Sequence, residues 1–387
     1  MLSNRISNIK NSIITYNCDD IKKRESEGIS FLKLNIGQPD FITDDLYFKS
    51  LKMINSKENN GYISPSGFWD LRNSIVKFYN DEKNYYFLEN VVITLGASDA
   101  IIKCLYSICD KNDKILVLEP FFCDYKLYAD MLEIKLIPIN YSSVNRKKLE
   151  ELYDKKVKAI IFSNPNNPDG NILNLNQINN ILTFARKKNI YIISDEVYGG
   201  FVYDNNYISL KQFNYNKIII VDSVSKKFNV CGSRIGYILS HNKKLINSII
   251  KLNDIRISLS KTEQYCVNNL FQDGQRIISN YKKNYEERLK IMLSELNKYN
   301  IRYFEPKGGI SLLVELPVDD TEKFIKWVIN NYCLNNESFL ITPAKEFYIT
   351  DIKNKARIML TIQKNDIHKF VKMLNDSCKQ YLKGEFD

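Results

Sequence analysis

Seven short runs rich in β-branched residues are spread through the middle of this chain: VVIT (91–94), KILVLE (114–119), IKLIPI (134–139), VKAIIFS (157–163), IYIISDE (190–196), KIIIVDS (217–223) and RIGYILS (234–240). Longer stretches with apolar residues at helical spacing alternate with such runs, among them DLRNSIVKFYNDE and LNQINNILTFARKKN. This alternation restricts the fold more than any other feature, because strands separated by helices pair side by side in one direction. The expectation is an α/β architecture built on a largely parallel sheet covered by helices. Polar or glycine-containing loops follow nearly every run, so chemistry belongs at the carboxyl ends of the strands, where open sheets of this kind place their ligands.

At 387 residues the chain exceeds the size at which one hydrophobic core stops growing, and 44% hydrophobic content suffices for two. The pattern changes near residue 250 to long amphipathic stretches, of which SNYKKNYEERLKIMLSELNKYN is the clearest. A second, smaller domain is expected to follow, with strands in RYFEP, ISLLVELP and ARIMLTI and helices in TEKFIKWVINNY and IHKFVKMLNDSCKQYLK.

The net charge is +10, but the 55 basic residues are dispersed, with no block of five or six like charges. That is a solvated surface rather than the clustered footprint of nucleic-acid binding. Eight cysteines (Cys18, Cys104, Cys109, Cys123, Cys231, Cys266, Cys333, Cys378) form no C-x-x-C pair, and only His241 and His368 offer imidazole. No metal site is expected, and the cysteines read as small hydrophobes in a reducing compartment. The amino terminus, MLSNRISNIKNSI, lacks the apolar core of a signal peptide, and no run approaches a membrane span. The expected location is the cytoplasm, with no membrane partner.

Candidate chemistry centres on DSVSKKFNVCGSRIGY (222–237), where Lys226 is flanked by Ser223 and Arg234, groups that a bound phosphate requires. Four other segments put polar or aromatic groups just after a strand. TLGASDAI (94–101) can turn backbone N–H groups and the Ser98 hydroxyl toward an anion at a helix start, although a glycine there is usually only a turn. SNPNNPDG (163–170) needs a rigid turn that exposes amide side chains. SDEVYGGF (194–201) sets Asp195 at a strand end and Tyr198 three residues on; capping the next helix is the plain alternative for Asp195. EPFFCDY (119–125) offers the face of Phe122, which otherwise belongs to the core.

Taken together with IGQPDF (36–41), YISPSGFWDLR (62–72) and ARIMLTI (356–362), these segments resemble, in order, the fold-type-I pyridoxal-phosphate enzymes, specifically the class I/II aminotransferases related to aspartate aminotransferase. The resemblance implies a large domain with a mostly parallel seven-stranded sheet between helices (48–290). It also implies a smaller α+β domain built from both chain ends, 1–47 and 291–387. Lys226 would form the internal aldimine with pyridoxal 5'-phosphate and then move the substrate α-proton. Asp195 would pair with the ring nitrogen, Tyr198 and Asn167 with the ring oxygen, and Phe122 would stack on the ring. Ser98, Ser223, the backbone of Ala97 and Arg234 would hold the phosphate, with Tyr62 reaching the phosphate of a neighbouring subunit in a homodimer with shared sites. Arg357 would clamp the substrate carboxylate, helped by Asn167 and the backbone near Gly37.

The implied activity is ping-pong transfer of an amino group from an L-amino acid to a 2-oxo acid such as 2-oxoglutarate. Arg256, thirty residues after Lys226, falls where aspartate-specific relatives present an arginine from the other subunit, so aspartate or another acidic amino acid is the expected donor. A pyridoxal-phosphate lyase, decarboxylase or cyclase of a specialised biosynthetic pathway would share the same cofactor residues. The chain departs from the family at Asp169, where threonine is usual, at Ser233, where tryptophan or alanine is common, and at Asp99 in place of glutamate or glutamine. A carboxylate at Asp169 would alter its loop, repel an anionic substrate, or face solvent.

Overall fold

The computed structural model describes residues 6, 9, 18–54, 60–82 and 85–384. Most of MLSNRISNIKNSI, the first part of the expected segment 1–47 and the side chain of Cys18 therefore lie outside the described residues.

Strands β2 (Val91–Thr94), β3 (Lys114–Glu119), β4 (Lys135–Asn140), β5 (Val157–Ser163), β6 (Tyr191–Asp195), β7 (Ile218–Ser223) and β8 (Gly236–Leu239) form one seven-stranded sheet. Its order is β2-β8-β7-β6-β5-β3-β4, and every pairing is parallel except those of β8, which runs antiparallel to both β2 and β7. Strands β2, β6, β7 and β8 are almost wholly buried, which is why they read as continuous apolar runs rather than alternating ones. All seven expected strands are present. The last begins at Gly236 rather than residue 234, because Arg234 takes a left-handed backbone (φ 55°) that a strand cannot contain.

Helices cover the sheet. Leu175–Lys188 starts with a capping box between Asn174 and Gln177 and ends at Asn189 in the left-handed conformation, three basic residues filling its last turn. Gly96–Ile108 packs Ala100, Ile101, Cys104 and Leu105 against the sheet.

A second, four-stranded antiparallel sheet has the order β12 (Thr342–Pro343), β13 (Lys355–Met359), β10 (Ser311–Glu315), β9 (Arg302–Phe304). Beside it, β1 (Ser30–Lys33) pairs in parallel with β11 (Glu337–Leu340), Ser30 opposite Glu337. Strands β1, β11 and β12, of two to four residues, were not expected. The helix Gly274–Lys298 runs through the expected boundary after residue 290 and buries residues at both ends, Ile277 and Ile278 at one, Met292 and Leu296 at the other.

Among the described residues, no helix is long and apolar enough to cross a membrane. Nor does any cluster of three or more His, Cys, Asp or Glu residues stand ready to hold a metal. Cys104, Cys123, Cys266 and Cys378 are buried free thiols, whereas Cys333 is exposed.

Candidate active site

The carboxyl ends of β5, β6 and β7 converge on a cleft of about 290 Å³. Lys226 enters it from the one-turn helix Val224–Lys227, whose start is capped by Ser223 Oγ accepting from Ser225 N at 3.1 Å. The ammonium donates to the Gly37 carbonyl and lies 3.8 Å from Cys231 Sγ. Burial lowers the proton affinity of Lys226; Arg357 and Arg234 lower it further, while Cys231 acts the other way. A lysine so placed releases its proton more readily than one in water.

Asp195, at the end of β6, is buried and accepts from Tyr125 OH at 2.8 Å and from Val197 N at 3.3 Å. Burial pushes its carboxyl up to about 6, and these two donors limit the rise. Tyr198 is also buried, and burial raises its phenol.

The first turn of Gly96–Ile108 receives no cap from the Leu95 side chain, which leaves backbone N–H groups at Ala97 and Ser98 beside the cleft. Arg234 lies across this helix start, Nη1 donating to the Cys231 carbonyl at 3.1 Å and Nη2 to the Leu95 carbonyl at 3.4 Å. Two glycines permit that approach. A Cβ on Gly96 would come 2.6 Å from Arg234 Nη2, and one on Gly236 would come 2.3 Å from the Gly96 carbonyl carbon. Ser223 and Ser225 add hydroxyls 2.9 Å apart. The donor set of helix start, hydroxyls and guanidinium suits a phosphate dianion.

Arg357, on β13, is 1% exposed. Its Nη1 donates to Asn167 Oδ1 at 3.2 Å, and its Nη2 to the Asn35 carbonyl at 2.6 Å and to Thr342 Oγ1 at 3.1 Å. Nε has no hydrogen-bond partner among the described residues, and the group sits 4.9 Å from the Phe347 ring centre. A buried guanidinium fixed by three contacts with a donor to spare can receive a carboxylate. Gly37 is close-packed, since a Cβ there would meet Met359 Cε at 3.0 Å and Tyr198 OH at 3.6 Å.

Eleven expected residues line this cleft: Gly37, Ala97, Ser98, Phe122, Asn167, Asp195, Tyr198, Ser223, Lys226, Arg234 and Arg357, with Asn167 serving in two expected roles. Tyr62 and Arg256 stand apart. Tyr62 is 80% exposed in a shallow depression with Gly61 and Ser258, and Arg256 is held by its own chain, Nη1 donating to Asp99 Oδ1 at 3.1 Å. Both were expected to serve a neighbouring subunit. Asp169 turns into its own loop, accepting from Asn166 Nδ2 at 2.8 Å and Asn171 N at 3.1 Å, and Ser233 Oγ donates to the Val230 carbonyl at 2.8 Å.

Sequence reasoning passed over Ile36, Gln38, Ser163, Ser225 and Cys231, which also line the cleft. Ser225 and Cys231 lay inside the segment that carried Lys226. The Asn35 carbonyl had no signal, because a backbone contact leaves none.

Residues 29–374 match the family model described as aminotransferase class I and II. The chain is 31% identical over 331 residues to a (5-formylfuran-3-yl)methyl phosphate transaminase of Methanocaldococcus jannaschii, covering 83% of this chain and 86% of that protein. It is 26% identical over 332 residues to an aspartate aminotransferase of Thermotoga maritima, covering 83% and 87%. Among solved structures, aspartate aminotransferase of Thermus thermophilus superposes with a TM-score of 0.89 at 18% identity, over 97% of this chain and 99% of that one. A Methanococcus jannaschii protein described as similar in its active site to kynurenine aminotransferases superposes with a TM-score of 0.87 at 28% identity, over 98% and 100%.

Proposed function

We propose for this chain, which belongs to the class I and II aminotransferases and is a pyridoxal-phosphate-dependent transaminase, that Lys226 carries the reaction and that the amino donor is an L-amino acid held by Arg357. The observation behind this reading is one amine, Lys226 Nζ, set in a cleft with two separately anchored guanidinium groups, Arg234 over a helix start and Arg357 among Asn35, Asn167 and Thr342.

The cleft's groups fit the cofactor: Arg234, Ser98, Ser223, Ser225 and the Ala97 backbone as donors toward its phosphate, Asp195 as acceptor toward its ring nitrogen, Tyr198 and Asn167 toward its ring oxygen, and Phe122 toward its face. Pyridoxal phosphate, when bound, supplies an aldehyde that condenses with amines and a ring that withdraws electrons from the α-carbon. Lys226 would be the residue that holds the cofactor covalently and the base that takes the donor's α-proton; its weakened hold on a proton suits that task. Asp195, whose carboxyl sits at about 6, would hold a proton on the ring nitrogen. Arg357 fixes the carboxylate so that it is retained, which favours cleavage of the Cα–H bond over loss of carbon dioxide.

For the finer question of substrate, our first reading is an acidic pair, aspartate or glutamate with 2-oxoglutarate, with Arg256 from a second copy reading the distal carboxylate. The Arg256–Asp99 contact favours a second reading, a donor with an uncharged side chain. We also infer a homodimer: Ile42, Met53, Trp69 and Ile255 stand exposed on this chain, and Tyr62 has its expected role only across an interface.

Borohydride reduction of the holoenzyme should fix the cofactor on Lys226; attachment at another lysine would sink the assignment. Donors screened against 2-oxoglutarate, pyruvate and oxaloacetate separate the alternatives, because a lyase, decarboxylase or cyclase forms product without a keto-acid acceptor. If Arg256→Ala leaves the ratio of aspartate to alanine turnover unchanged, the acidic-donor reading is wrong.

A further inference from the structure

Behind the cleft, on the opposite faces of β6 and β7, lies a second group of buried charges. Along β6 the side chains alternate, so Asp195 points into the cleft while Ser194 and Glu196 point away. Glu196 accepts from Ser194 Oγ at 2.9 Å, Ser209 Oγ at 2.6 Å, Tyr207 OH at 3.2 Å and Leu210 N at 3.0 Å. On β7 the same alternation sends Ser223 to the cleft and Asp222 behind it. Asp222 is fully buried and receives the Tyr79 hydroxyl and the Lys227 ammonium. Lys227, the residue after Lys226, is only 4% exposed, and it also donates to Tyr79 OH at 3.2 Å.

Two carboxylates and one ammonium are thus sealed behind Asp195, beside a separate cavity of about 320 Å³. Tyr237 approaches from β8, its hydroxyl 3.3 Å from that of Tyr79. Lys211 and Lys282 line the far side of the cavity but are partly exposed, and Lys211 is already engaged by Asp81 and the Tyr79 carbonyl. In the low dielectric of the interior the buried charge acts on its neighbours more strongly than the solvated ones.

We propose that Lys227 is a positioning residue for the reaction: its ammonium offsets Asp222 and Glu196, so that Asp195, on the other face of the sheet, stays charged and faces the cofactor ring. The proposal rests on the reading of Asp195 given above. The electrostatics agree with the geometry, for Glu196 raises the Asp195 carboxyl and Lys227 lowers it. Lys227 is itself pulled down to about 7, by burial first and against Glu196 and Asp195. Burial makes this a costly place for an ammonium, and Asp222 and Tyr79 are the partners that hold it there.

The test is a pH titration of the visible absorption band of the bound cofactor in the holoenzyme, with cofactor affinity measured alongside. Loss of the positive charge in Lys227→Met makes the local potential more negative, so every proton near Asp195 is held more tightly and the midpoint moves up, by about half a unit to one unit. Glu196→Gln removes a negative charge without removing volume and moves the midpoint down. Lys227→Arg keeps the charge and stays near the parent value. Opposite shifts support the proposal, because lost packing alone has no sign. If Lys227→Met and Glu196→Gln both leave the midpoint in place while Asp195→Asn moves it, Lys227 has no such role. If Asp195→Asn also leaves it in place, the reading of Asp195 fails and takes the proposal with it. Should Lys227→Met not fold, Glu196→Gln decides: a downward shift supports the proposal and no shift overturns it.

Discussion

Arg357 Nη1 donates to Asn167 Oδ1 at 3.2 Å, across 190 positions of sequence and between the two sheets. Arg357 sits on the four-stranded sheet and Asn167 in the loop after β5 of the seven-stranded one, so this contact ties the buried guanidinium to the wall that holds Asp195 and Lys226.

Arg357→Lys should therefore weaken amino-acid binding and leave cofactor binding intact. Lysine is a single point charge and cannot donate from two edges at once. A loss of about 1.5–3 kcal/mol, or roughly ten- to a hundredfold in donor kcat/KM, is expected for this charge-assisted pair. Steady-state kinetics with pyridoxal phosphate titrations check both halves.

Asp195→Asn should change how stability depends on pH in the cofactor-free protein. The folded Asp195 carboxyl is raised to about 6, so the folded state binds more protons than the unfolded one between the ordinary carboxyl value, 3.8, and about 6. Stability from this group is thus fully present below pH 4 and is lost as pH rises toward 6. The variant, lacking that ionisation cost, should gain on the order of 2–3 kcal/mol relative to the parent above pH 6 and nothing below pH 4. Urea unfolding at a series of pH values measures it.

Gly236→Ala should damage the site without touching a catalytic group. The new methyl would stand 2.3 Å from backbone at Gly96, so β8 and the helix start must separate. Overpacking of this kind costs about 1–3 kcal/mol, and because Arg234 and the Ala97 N–H sit at that seam, pyridoxal phosphate should bind more weakly as well. Thermal melts with and without cofactor give the two effects separately.

Self-association offers a fourth check. Met53→Glu combined with Ile255→Glu should shift the chain from dimer toward monomer in sedimentation, both side chains being well exposed on the single chain. A parent protein that already sediments as a monomer would remove the shared-site role proposed for Tyr62.

Much of this was legible along the chain. The strands of the large sheet declared themselves because they are short runs rich in β-branched residues between helical periods, and Lys226 declared itself because Ser223 and Arg234 lie within eight residues of it. Asp169 was left open, since spacing cannot say whether a carboxylate turns outward or accepts from its own loop, as it does from Asn166 and Asn171. Arg256 was read as facing a second subunit, and no local pattern announced its capture by Asp99, 157 residues away.

The sequence by itself determined the strand and helix inventory of the large sheet and singled out the segment that carries Lys226, because both are encoded by periods and spacings of a few residues. Only the tertiary structure decided that Ser30 pairs with Glu337, that Asn35 lends a carbonyl to Arg357, and that Asp222, Glu196 and Lys227 are shut together behind Asp195. Those contacts join distant or alternately facing residues. Their free energy comes from burial and desolvation, which exist only once the sheets have packed.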